Sequence, residues 1–416
     1  MNQVLRYIDN QLHMESVALD VVAEQVGTPF YCYSKADIQQ RVSACKAAFK
    51  VLDATIHYAV KANCNLSILR LMAAAGLGAD VVSDGELERA LVAGIPAEKI
   101  IFSGVGKRKD EMLAALNAGI AQFNLESIPE LEALIALCES RNKTAGVSLR
   151  INPDVDGATH RHITTGVKGS KFGIPMEQLH HALRRIGESE YLQLRGLAVH
   201  IGSQIVTAEP YRRVCERLCG WVTDLRAAGH VIEHLDLGGG FGIDYGDGDY
   251  LDFESVAQVM QEALQGMDNL HIAIEPGRSL VGNAGVLVSE VIYRKEADPL
   301  PFLILDAGMN DLMRPALYQA SHPIQPLLAS EKGQEQVNVV GPICESTDFF
   351  HKAITLPEIA QGERVAMLQA GAYGAVMASS YNSRAIIPEV MIDEERFEMI
   401  RRRITNKNLL EFELVM

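Results

Sequence analysis

Several residues with chemically useful side chains lie directly after short apolar runs of the chain. Lys61 follows the run YAV in YAVKAN, and His200 and Ser203 lie in HIGSQI. Glu275 and Arg278 lie in EPGR, which follows the run HIAI. A lysine beside a buried run is costly unless it is paired or its pKa is depressed, and the neutral amine is the form that attacks a carbonyl to give a Schiff base. The alternative is that Lys61 forms an ordinary salt bridge.

Two glycine-containing turns favour an anion site. GGGFG spans 238–242 and EPGR spans 275–278. Glycines let backbone N–H groups come close to an anion, and Arg278 adds a guanidinium group. Ile243 breaks the GxGxxG spacing, so a dinucleotide site of the Rossmann type is not supported. Two tight turns without a ligand are the alternative.

A second group of polar residues lies in the C-terminal third of the chain. GPICES contains Cys344 and Glu345, a thiol beside a carboxylate that could donate a proton and bind an amine. MRPALY contains Arg314 and Tyr318, which could bind a carboxylate, and GAYG places Tyr373 between glycines. A buried core residue is the alternative for Cys344.

The elements that must position these residues alternate between strands and helices. Segments whose apolar residues recur every three or four positions separate the first strand candidates, and this spacing predicts helices. The alternation favours a parallel (β/α)8 barrel over an open doubly wound sheet, and in such a barrel catalytic groups lie at the C-terminal ends of the strands. The eight strand candidates are 55–62, 78–83, 100–104, 122–127, 146–152, 194–202, 234–240 and 271–278.

The sequence beyond residue 281 is rich in strand patterns that are not separated by long helices. It predicts an all-β domain. TPFYCYS, at 28–34, is a strand candidate that the eight barrel strands leave over, and we expect it to join this domain. The predicted organisation is therefore a barrel over 36–281 and a β-sandwich or Greek-key-like domain formed by 1–35 together with 282–416.

Composition and charge exclude several classes of protein. The 416 residues are 48% hydrophobic and 22% charged, which is typical of a globular chain, and the net charge of −15 argues against binding to nucleic acid or anionic membranes. We find no signal peptide and no apolar run long enough to span a membrane. The seven cysteines contain no CxxC, which favours reduced thiols in the cytoplasm. The histidines at 160–162 lack an acidic neighbour, so no metal site is predicted.

Together these motifs resemble the fold-type III pyridoxal-phosphate decarboxylases. The similarity extends from about residue 28 to the C-terminus, and its motifs follow one another in the family's order. The resemblance implies a barrel with a β domain from both chain ends, pyridoxal 5′-phosphate as the cofactor, and decarboxylation of meso-2,6-diaminopimelate to L-lysine, the last step of lysine synthesis. Ser321 stands where the family usually has an aromatic residue. The motifs are YAVKAN, HIGSQI, LGGGFGIDY, EPGR, MNDLMRPALY, GPICESTDFF and GAYG.

The resemblance also implies a role for each candidate residue. Lys61 would carry the cofactor, His200 would stack on its ring, Glu275 would pair with the ring nitrogen, and Cys344 would return a proton after CO2 leaves. Cys344 and Glu345 come from the partner subunit in this family, so the resemblance implies a homodimer with a shared active site. The implied cofactor contacts are Lys61, Asp80, His200, Ser203, Gly239, Gly240, Glu275, Gly277, Arg278 and Tyr373. The implied substrate contacts are Arg278, Arg314, Tyr318, Glu345 and Tyr373.

Other functions stay open at this point. A sibling decarboxylase could act on ornithine, arginine, carboxynorspermidine or a specialised amino acid, and Arg314 would then have no distal carboxylate to bind. An amino-acid racemase is less favoured, because Cys344 and Glu345 suit the proton donor of a decarboxylase. A cofactor-carrying protein without catalysis is disfavoured too, since relatives of that kind tend to lack the lysine or the β domain.

Overall fold

The computed structural model describes residues 4–155, 171–330 and 332–413, so the histidines at 160–162 lie outside the described residues. Its strands are β1 (Leu5–Ile8), β2 (Gln11–Met14), β3 (Val17–Ala18), β4 (Phe30–Ser34), β5 (Thr55–Ala59), β6 (Gly78–Val81), β7 (Ile100–Phe102), β8 (Gln122–Leu125), β9 (Ala145–Arg150), β10 (Leu192–Ala198), β11 (His234–Asp236), β12 (His271–Ile274), β13 (Gly285–Lys295), β14 (Phe302–Leu305), β15 (Ile324–Pro326), β16 (Gln334–Val340), β17 (Phe349–Pro357), β18 (Arg364–Met367), β19 (Glu389–Asp393) and β20 (Arg396–Arg401). Its helices are α1 (Leu19–Val26), α2 (Lys35–Phe49), α3 (Leu66–Ala74), α4 (Asp84–Val92), α5 (Lys109–Ala118), α6 (Ile128–Arg141), α7 (Met176–Gly187), α8 (Glu209–Ala227), α9 (Phe253–Ala263), α10 (Arg278–Val281), α11 (Arg314–Tyr318) and α12 (Asn406–Glu413).

One compact unit comprises the described residues of Val42–Ile243 and Tyr250–Ser279, and a closed barrel forms its centre. Strands β5 to β12 pair in chain order, each parallel to the next, and β12 pairs with β5 to close the barrel. Each of these eight strands overlaps one of the eight predicted runs, so the predicted (β/α)8 barrel is confirmed. The C-terminal ends of the strands therefore share one rim, as the barrel topology requires.

Several of the helices that follow barrel strands begin with a capping side chain. The side chains of Asn65, Ser83, Ser127 and Asp252 each accept a hydrogen bond from a backbone N–H in the first turn of α3, α4, α6 and α9. Such caps satisfy donors that a helix start leaves without partners. Gly119 ends α5 in the left-handed conformation that glycine adopts without strain. The four helices predicted between the first five strands are present as α3 to α6.

The other compact unit comprises the described residues of Met1–Arg41, Asp244–Asp249 and Leu280–Met416. Its main sheet has the order β17-β16-β14-β13-β4-β19-β20. The sheet is mixed, because β4 pairs antiparallel with β13 and parallel with β19. The prediction that the strand in 28–34 joins the C-terminal β domain is confirmed.

The apolar core of this unit follows the two-residue period of its strands. Alternate residues on three neighbouring strands face the same core as α1 and β2. The sequence analysis did not predict the short strands β1 to β3. The core residues contributed by the three strands are Phe30 and Cys32 on β4, Val286 and Val288 on β13, and Val390 and Ile392 on β19.

The seven cysteines differ in exposure. All seven cysteines are free, and Cys344 is the one with an exposed side chain. In the parts of the chain that the structure describes, no helix combines the length and apolarity needed to cross a bilayer. Within the same residues, no group of three or more His, Cys, Asp or Glu side chains could hold a metal ion.

Gly196 gives a test of the barrel packing. It lies at an irregularity in β10, and a Cβ atom there would be 1.7 Å from the backbone oxygen of His234 on β11. We expect Gly196→Ala to lower the free energy of unfolding by about 3 kcal/mol, because the neighbouring strand must move. Urea unfolding followed by circular dichroism measures this change.

Gly187 provides the matched control for this substitution. It is the last residue of α7, and a Cβ atom there would meet nothing within 4 Å. Gly187→Ala should leave stability unchanged or raise it slightly, since alanine favours the helix. Equal stability of the two variants would show that β10 tolerates the added atom.

Candidate active site

Lys61 and Asp80 form an ion pair at the mouth of the barrel. Lys61 lies in the single 3-10 turn that follows β5, and its Nζ is 3.1 Å from Oδ2 of Asp80 on β6. Asp80 is fully buried, whereas about a third of the Lys61 side chain is exposed. The salt bridge that the sequence left open as an alternative is therefore present. Oδ1 of Asp80 is buried and finds no hydrogen-bond partner among the described residues.

Glu275 lies directly after β12, and its carboxyl group is hydrogen-bonded to that of Asp236 at the end of β11. Asp236 in turn accepts hydrogen bonds from the backbone N–H of Gly238, at 3.0 Å, and from Nδ2 of Asn124, at 3.3 Å. Burial, and then the negative charges of Asp236 and Asp80, raise the pKa of Glu275 well above its ordinary value. In the protein without a ligand this raised pKa favours the protonated, uncharged form of Glu275.

The ring of His200 lies beside this acidic group. Its Nδ1 accepts a hydrogen bond from the backbone N–H of Gly239 at 3.3 Å and lies 3.9 Å from a Glu275 oxygen. Because an N–H donates to Nδ1, the proton of the neutral ring is on Nε2. Burial, and then the positive charges of Lys61 and Arg150, lower the pKa of His200 well below its ordinary value. His200 is therefore a flat, uncharged ring at the barrel mouth.

Arg278 and Ser203 connect the loops that follow β12 and β10. Nη2 of Arg278 donates a hydrogen bond to the hydroxyl oxygen of Ser203 at 2.8 Å. Arg278 is almost completely buried, while Ser203 is half-buried. A guanidinium and a hydroxyl held together in this way can bind the oxygens of a phosphate group.

The glycines near these side chains are required by close contacts between loops. A Cβ atom on Gly239 would lie 2.0 Å from the backbone oxygen of Glu275. On Gly277 it would lie 2.9 Å from Cβ of Ala62, next to Lys61. Gly240 has a positive φ of 94°, which favours glycine on conformational grounds as well. The loops after β5, β11 and β12 can approach one another only because these positions lack side chains.

A buried ion pair that the sequence analysis missed lies on the same rim. Nη1 of Arg150, at the end of β9, donates to Oε1 of Glu126, just after β8, at 2.8 Å. Glu126 also accepts hydrogen bonds from the backbone N–H groups of Gly104 and Gly173. Both residues lie at strand ends, so the rule that selected Lys61 could have found them. Asp236 was missed in the same way.

The β unit contains the remaining predicted site residues. Arg314 begins α11 and is buried, and its Nη1 lies 2.7 Å from Nε2 of His322. Tyr318 ends α11 and is half-buried. Tyr373 is half-buried and has a positive φ of 55°. His322 had not been predicted as a site residue.

Cys344 and Glu345 lie in an exposed segment between β16 and β17. The alternative that Cys344 is a core residue is therefore wrong. The backbone N–H of Cys344 donates to Oδ1 of Asn382 at 3.1 Å, and the hydroxyl of Tyr381 donates to the carboxylate of Glu345. These contacts hold the two side chains at the surface of the β unit.

Comparison with known proteins assigns the family. Residues 35–282, more than half of the chain, match the family described as "Pyridoxal-dependent decarboxylase, pyridoxal binding domain". The chain belongs to the pyridoxal-dependent decarboxylases. This decarboxylase is 45% identical over 403 residues to the diaminopimelate decarboxylase of Neisseria meningitidis serogroup A, and the match covers 97% of this chain and 99% of that protein. The resemblance identified from the motifs is thereby confirmed.

Two solved structures are similar to this decarboxylase over nearly its whole length. Diaminopimelate decarboxylase from M. jannaschii in complex with L-lysine has a TM-score of 0.95 at 35% identity, with 100% of this chain and 98% of that chain covered. The Helicobacter pylori diaminopimelate decarboxylase in complex with L-lysine has a TM-score of 0.91 at 39% identity, with 95% and 99% covered. These similarities confirm the predicted fold class.

The barrel of this decarboxylase has groups that fit pyridoxal 5′-phosphate. Three carboxyl groups, those of Asp80, Asp236 and Glu275, lie near a single ammonium group, that of Lys61. A protonated ring nitrogen would therefore supply a missing positive charge. The buried Oδ1 of Asp80, which has no hydrogen-bond partner in the described residues, is one sign of this imbalance. Lys61 supplies the amine for an aldehyde, and the chain is a decarboxylase that uses this cofactor.

The raised pKa of Glu275 predicts a pH dependence of stability in the cofactor-free protein. Between the ordinary glutamate pKa, about 4.3, and the raised folded value, the native state binds one proton more than the unfolded state. The free energy of unfolding therefore falls by about 1.4 kcal/mol per pH unit from this group as pH rises. Glu275→Gln has no such proton to lose, so the variant should lack this contribution in urea unfolding as pH rises above the ordinary glutamate pKa of about 4.3.

Glu86→Gln serves as the comparison for this measurement. Burial is the main cause that raises the pKa of Glu86, to about 7. The difference in free energy of unfolding between Glu86→Gln and the wild type should grow with pH in the same direction as for Glu275→Gln. It should stop growing above about pH 7, the pKa of Glu86. A Glu275→Gln curve parallel to that of the wild type would mean that Glu275 is already ionised in the folded cofactor-free protein.

Proposed function

We propose that this chain catalyses the decarboxylation of meso-2,6-diaminopimelate to L-lysine and CO2, the last step of lysine biosynthesis. The observation that carries the proposal is the full-length similarity to diaminopimelate decarboxylases, at 45% identity over 97% of the chain. The L-lysine bound in the two solved relatives is the product that this reaction would release.

The barrel residues would bind the cofactor and control its protons. Pyridoxal 5′-phosphate supplies an electron sink for the pair of electrons left when a carboxylate departs as CO2. Lys61 would hold the cofactor through its Nζ, which Asp80 positions at the barrel mouth. Glu275 would keep a proton on the ring nitrogen, which would relieve the cost of burying its own charge that raises its pKa in the protein without a ligand. The uncharged ring of His200 would stack on the cofactor.

The phosphate would lie at the turns that follow β10, β11 and β12. Arg278 and Ser203, joined by their hydrogen bond, present a guanidinium and a hydroxyl to its oxygens. The glycine turns bring backbone N–H groups to the same loops without obstructing side chains. The proposed phosphate contacts are Ser203, Gly239, Gly240, Gly277, Arg278 and Tyr373.

The substrate contacts would come largely from the β unit. Arg314, together with Arg278 and Tyr318, would bind the distal carboxylate, and Tyr373 would line the same subsite. The fork of N–H donors on a buried guanidinium matches a carboxylate in geometry and charge. Glu345 would bind the distal amine.

Cys344 would donate a proton to the carbon that loses CO2. Its exposed thiol is accessible, unlike the four thiols that are fully buried. The exposure of Cys344 and Glu345 supports their insertion into the site of a second subunit. We therefore propose a homodimer with shared active sites, working in the cytoplasm, where its free thiols stay reduced.

The choice of substrate can be tested by measuring CO2 release from the cofactor-loaded enzyme. We expect release from meso-2,6-diaminopimelate and none from lysine, ornithine or arginine, which lack a distal carboxylate. Arg314→Ala should lower kcat/KM by about 10²-fold or more, since a buried charge loses its partner. Turnover of a monocarboxylic diamine, unaffected by Arg314→Ala, would favour a sibling decarboxylase instead.

Complementation tests the shared active site. Lys61→Ala and Cys344→Ala should each be nearly inactive as homodimers. A heterodimer of the two, purified through two different affinity tags, has one site with both native residues, so we expect about half of the wild-type kcat. If the purified heterodimer stays inactive, Lys61 and Cys344 act within the same subunit.

A further inference from the structure

We propose that His322 and Tyr245 are positioning residues that fix the guanidinium of Arg314 for the distal carboxylate of the substrate. The inference rests on the proposed function, which makes Arg314 a carboxylate ligand. All three residues belong to the β unit, although Tyr245 comes from the short segment Asp244–Asp249 and is separated from the other two in sequence. Each of the three is buried, at 8% exposure or less.

The hydrogen bonds of His322 define its protonation state. Its Nδ1 lies 2.8 Å from the backbone oxygen of Leu368, which can only accept, so Nδ1 carries a hydrogen. Its Nε2 lies 2.7 Å from Nη1 of Arg314, which can only donate, so Nε2 presents its lone pair. His322 is therefore neutral, with one fixed tautomer, and directs one N–H of the guanidinium.

Tyr245 fixes the plane of the same guanidinium. The central carbon of Arg314 lies 4.5 Å from the centre of the Tyr245 ring, which is a cation–π arrangement. The Tyr245 ring also meets the His322 ring edge to face, with 5.3 Å between the centres and 80° between the planes. The hydrogen bond from His322 and the aromatic face of Tyr245 together fix both the direction and the tilt of Arg314.

The segment that carries Tyr245 is itself held in place. Oδ1 of Asp244 accepts hydrogen bonds from the backbone N–H groups of Gly246, at 2.6 Å, and Gly248, at 2.9 Å. Gly246 has a positive φ of 101°, and a Cβ atom there would lie 2.9 Å from Cγ of Pro323, next to His322. The turn therefore packs directly against the His322–Pro323 segment and keeps Tyr245 over Arg314.

Both contacts orient Arg314 without cancelling its charge. A carboxylate in the position of His322 would neutralise the guanidinium and compete with the substrate for its donors, whereas imidazole uses one donor and adds no charge. A guanidinium whose orientation is already fixed loses less side-chain entropy when a carboxylate binds. His322 and Tyr245 thus favour recognition of the substrate carboxylate over that of an uncharged chain end.

Substitutions of His322 in the cofactor-loaded enzyme test this role. His322→Leu removes the acceptor, and we expect KM for meso-2,6-diaminopimelate to rise roughly 10- to 100-fold with a smaller change in kcat. His322→Gln should restore most of the affinity, because its amide oxygen can accept from Arg314 and its NH2 can donate to Leu368. Ser321→Ala, next to His322 and exposed, is the control and should behave as the wild type.

A binding measurement separates positioning from general damage. Calorimetry would compare L-lysine with pentane-1,5-diamine, which has the same amines and no carboxylate. His322→Leu should weaken L-lysine by the same factor as KM and leave the diamine unchanged. Tyr245→Phe, which keeps the aromatic face, should match the wild type, while Tyr245→Leu should weaken L-lysine in the same selective way.

Two results would overturn the inference. One is an equal loss of affinity for L-lysine and pentane-1,5-diamine in His322→Leu, which would show that His322 is merely structural. The other is an affinity of His322→Leu for L-lysine that is unchanged from the wild type. Arg314→Ala distinguishes failure of this inference from failure of the proposed function. If Arg314→Ala also keeps wild-type affinity for L-lysine, the carboxylate role of Arg314 fails. If Arg314→Ala selectively loses affinity for L-lysine and His322→Leu does not, only the positioning role of His322 is rejected.

Discussion

The excess of buried acid around Lys61 is the constraint on which the candidate site depends. Asp80, Asp236 and Glu275 lie at or near the ends of the barrel strands β6, β11 and β12, where burial makes each negative charge expensive. The ammonium group of Lys61 pairs with Asp80, and the raised pKa of Glu275 favours the uncharged form of that carboxyl. Such an arrangement is poor for stability and suited to binding a cation that arrives with a ligand, which is why perturbed carboxyls of this kind mark functional sites.

The rest of the barrel mouth is built to keep that acidic group accessible and ordered. His200 lies against Glu275 without a charge of its own, because burial, and then the positive charges of Lys61 and Arg150, lower its pKa. Asn124 and the backbone of Gly238 occupy the lone pairs of Asp236, so that its carboxylate keeps one orientation. The glycines of the adjoining turns then allow the loops to close around these groups at distances that a Cβ atom would forbid.

The sequence predicted the parts of this design that depend on local patterns. Strand periodicity gave the eight barrel strands, and polar residues after those strands gave Lys61, His200 and Glu275. Asp236 escaped notice although it lies within the predicted strand 234–240, because only the fold shows its carboxyl against Glu275. Tyr245 and His322 could not be paired in advance, since 77 positions separate them and only the packing of Asp244–Asp249 in the β unit joins them.

The division of labour between the two units has a consequence for specificity. The groups suited to the cofactor lie on the barrel, where glycine contacts and buried charges leave little freedom for substitution. Arg314 and its neighbours His322 and Tyr245 belong to the β unit. If Arg314 binds the distal carboxylate of the substrate, as proposed, substitutions around it could change substrate recognition while the charged groups of the barrel stay the same. Because discrimination is a difference between affinities, an Arg314 guanidinium with a fixed orientation would, under the proposed function, favour a substrate with a distal carboxylate over one whose far end is uncharged.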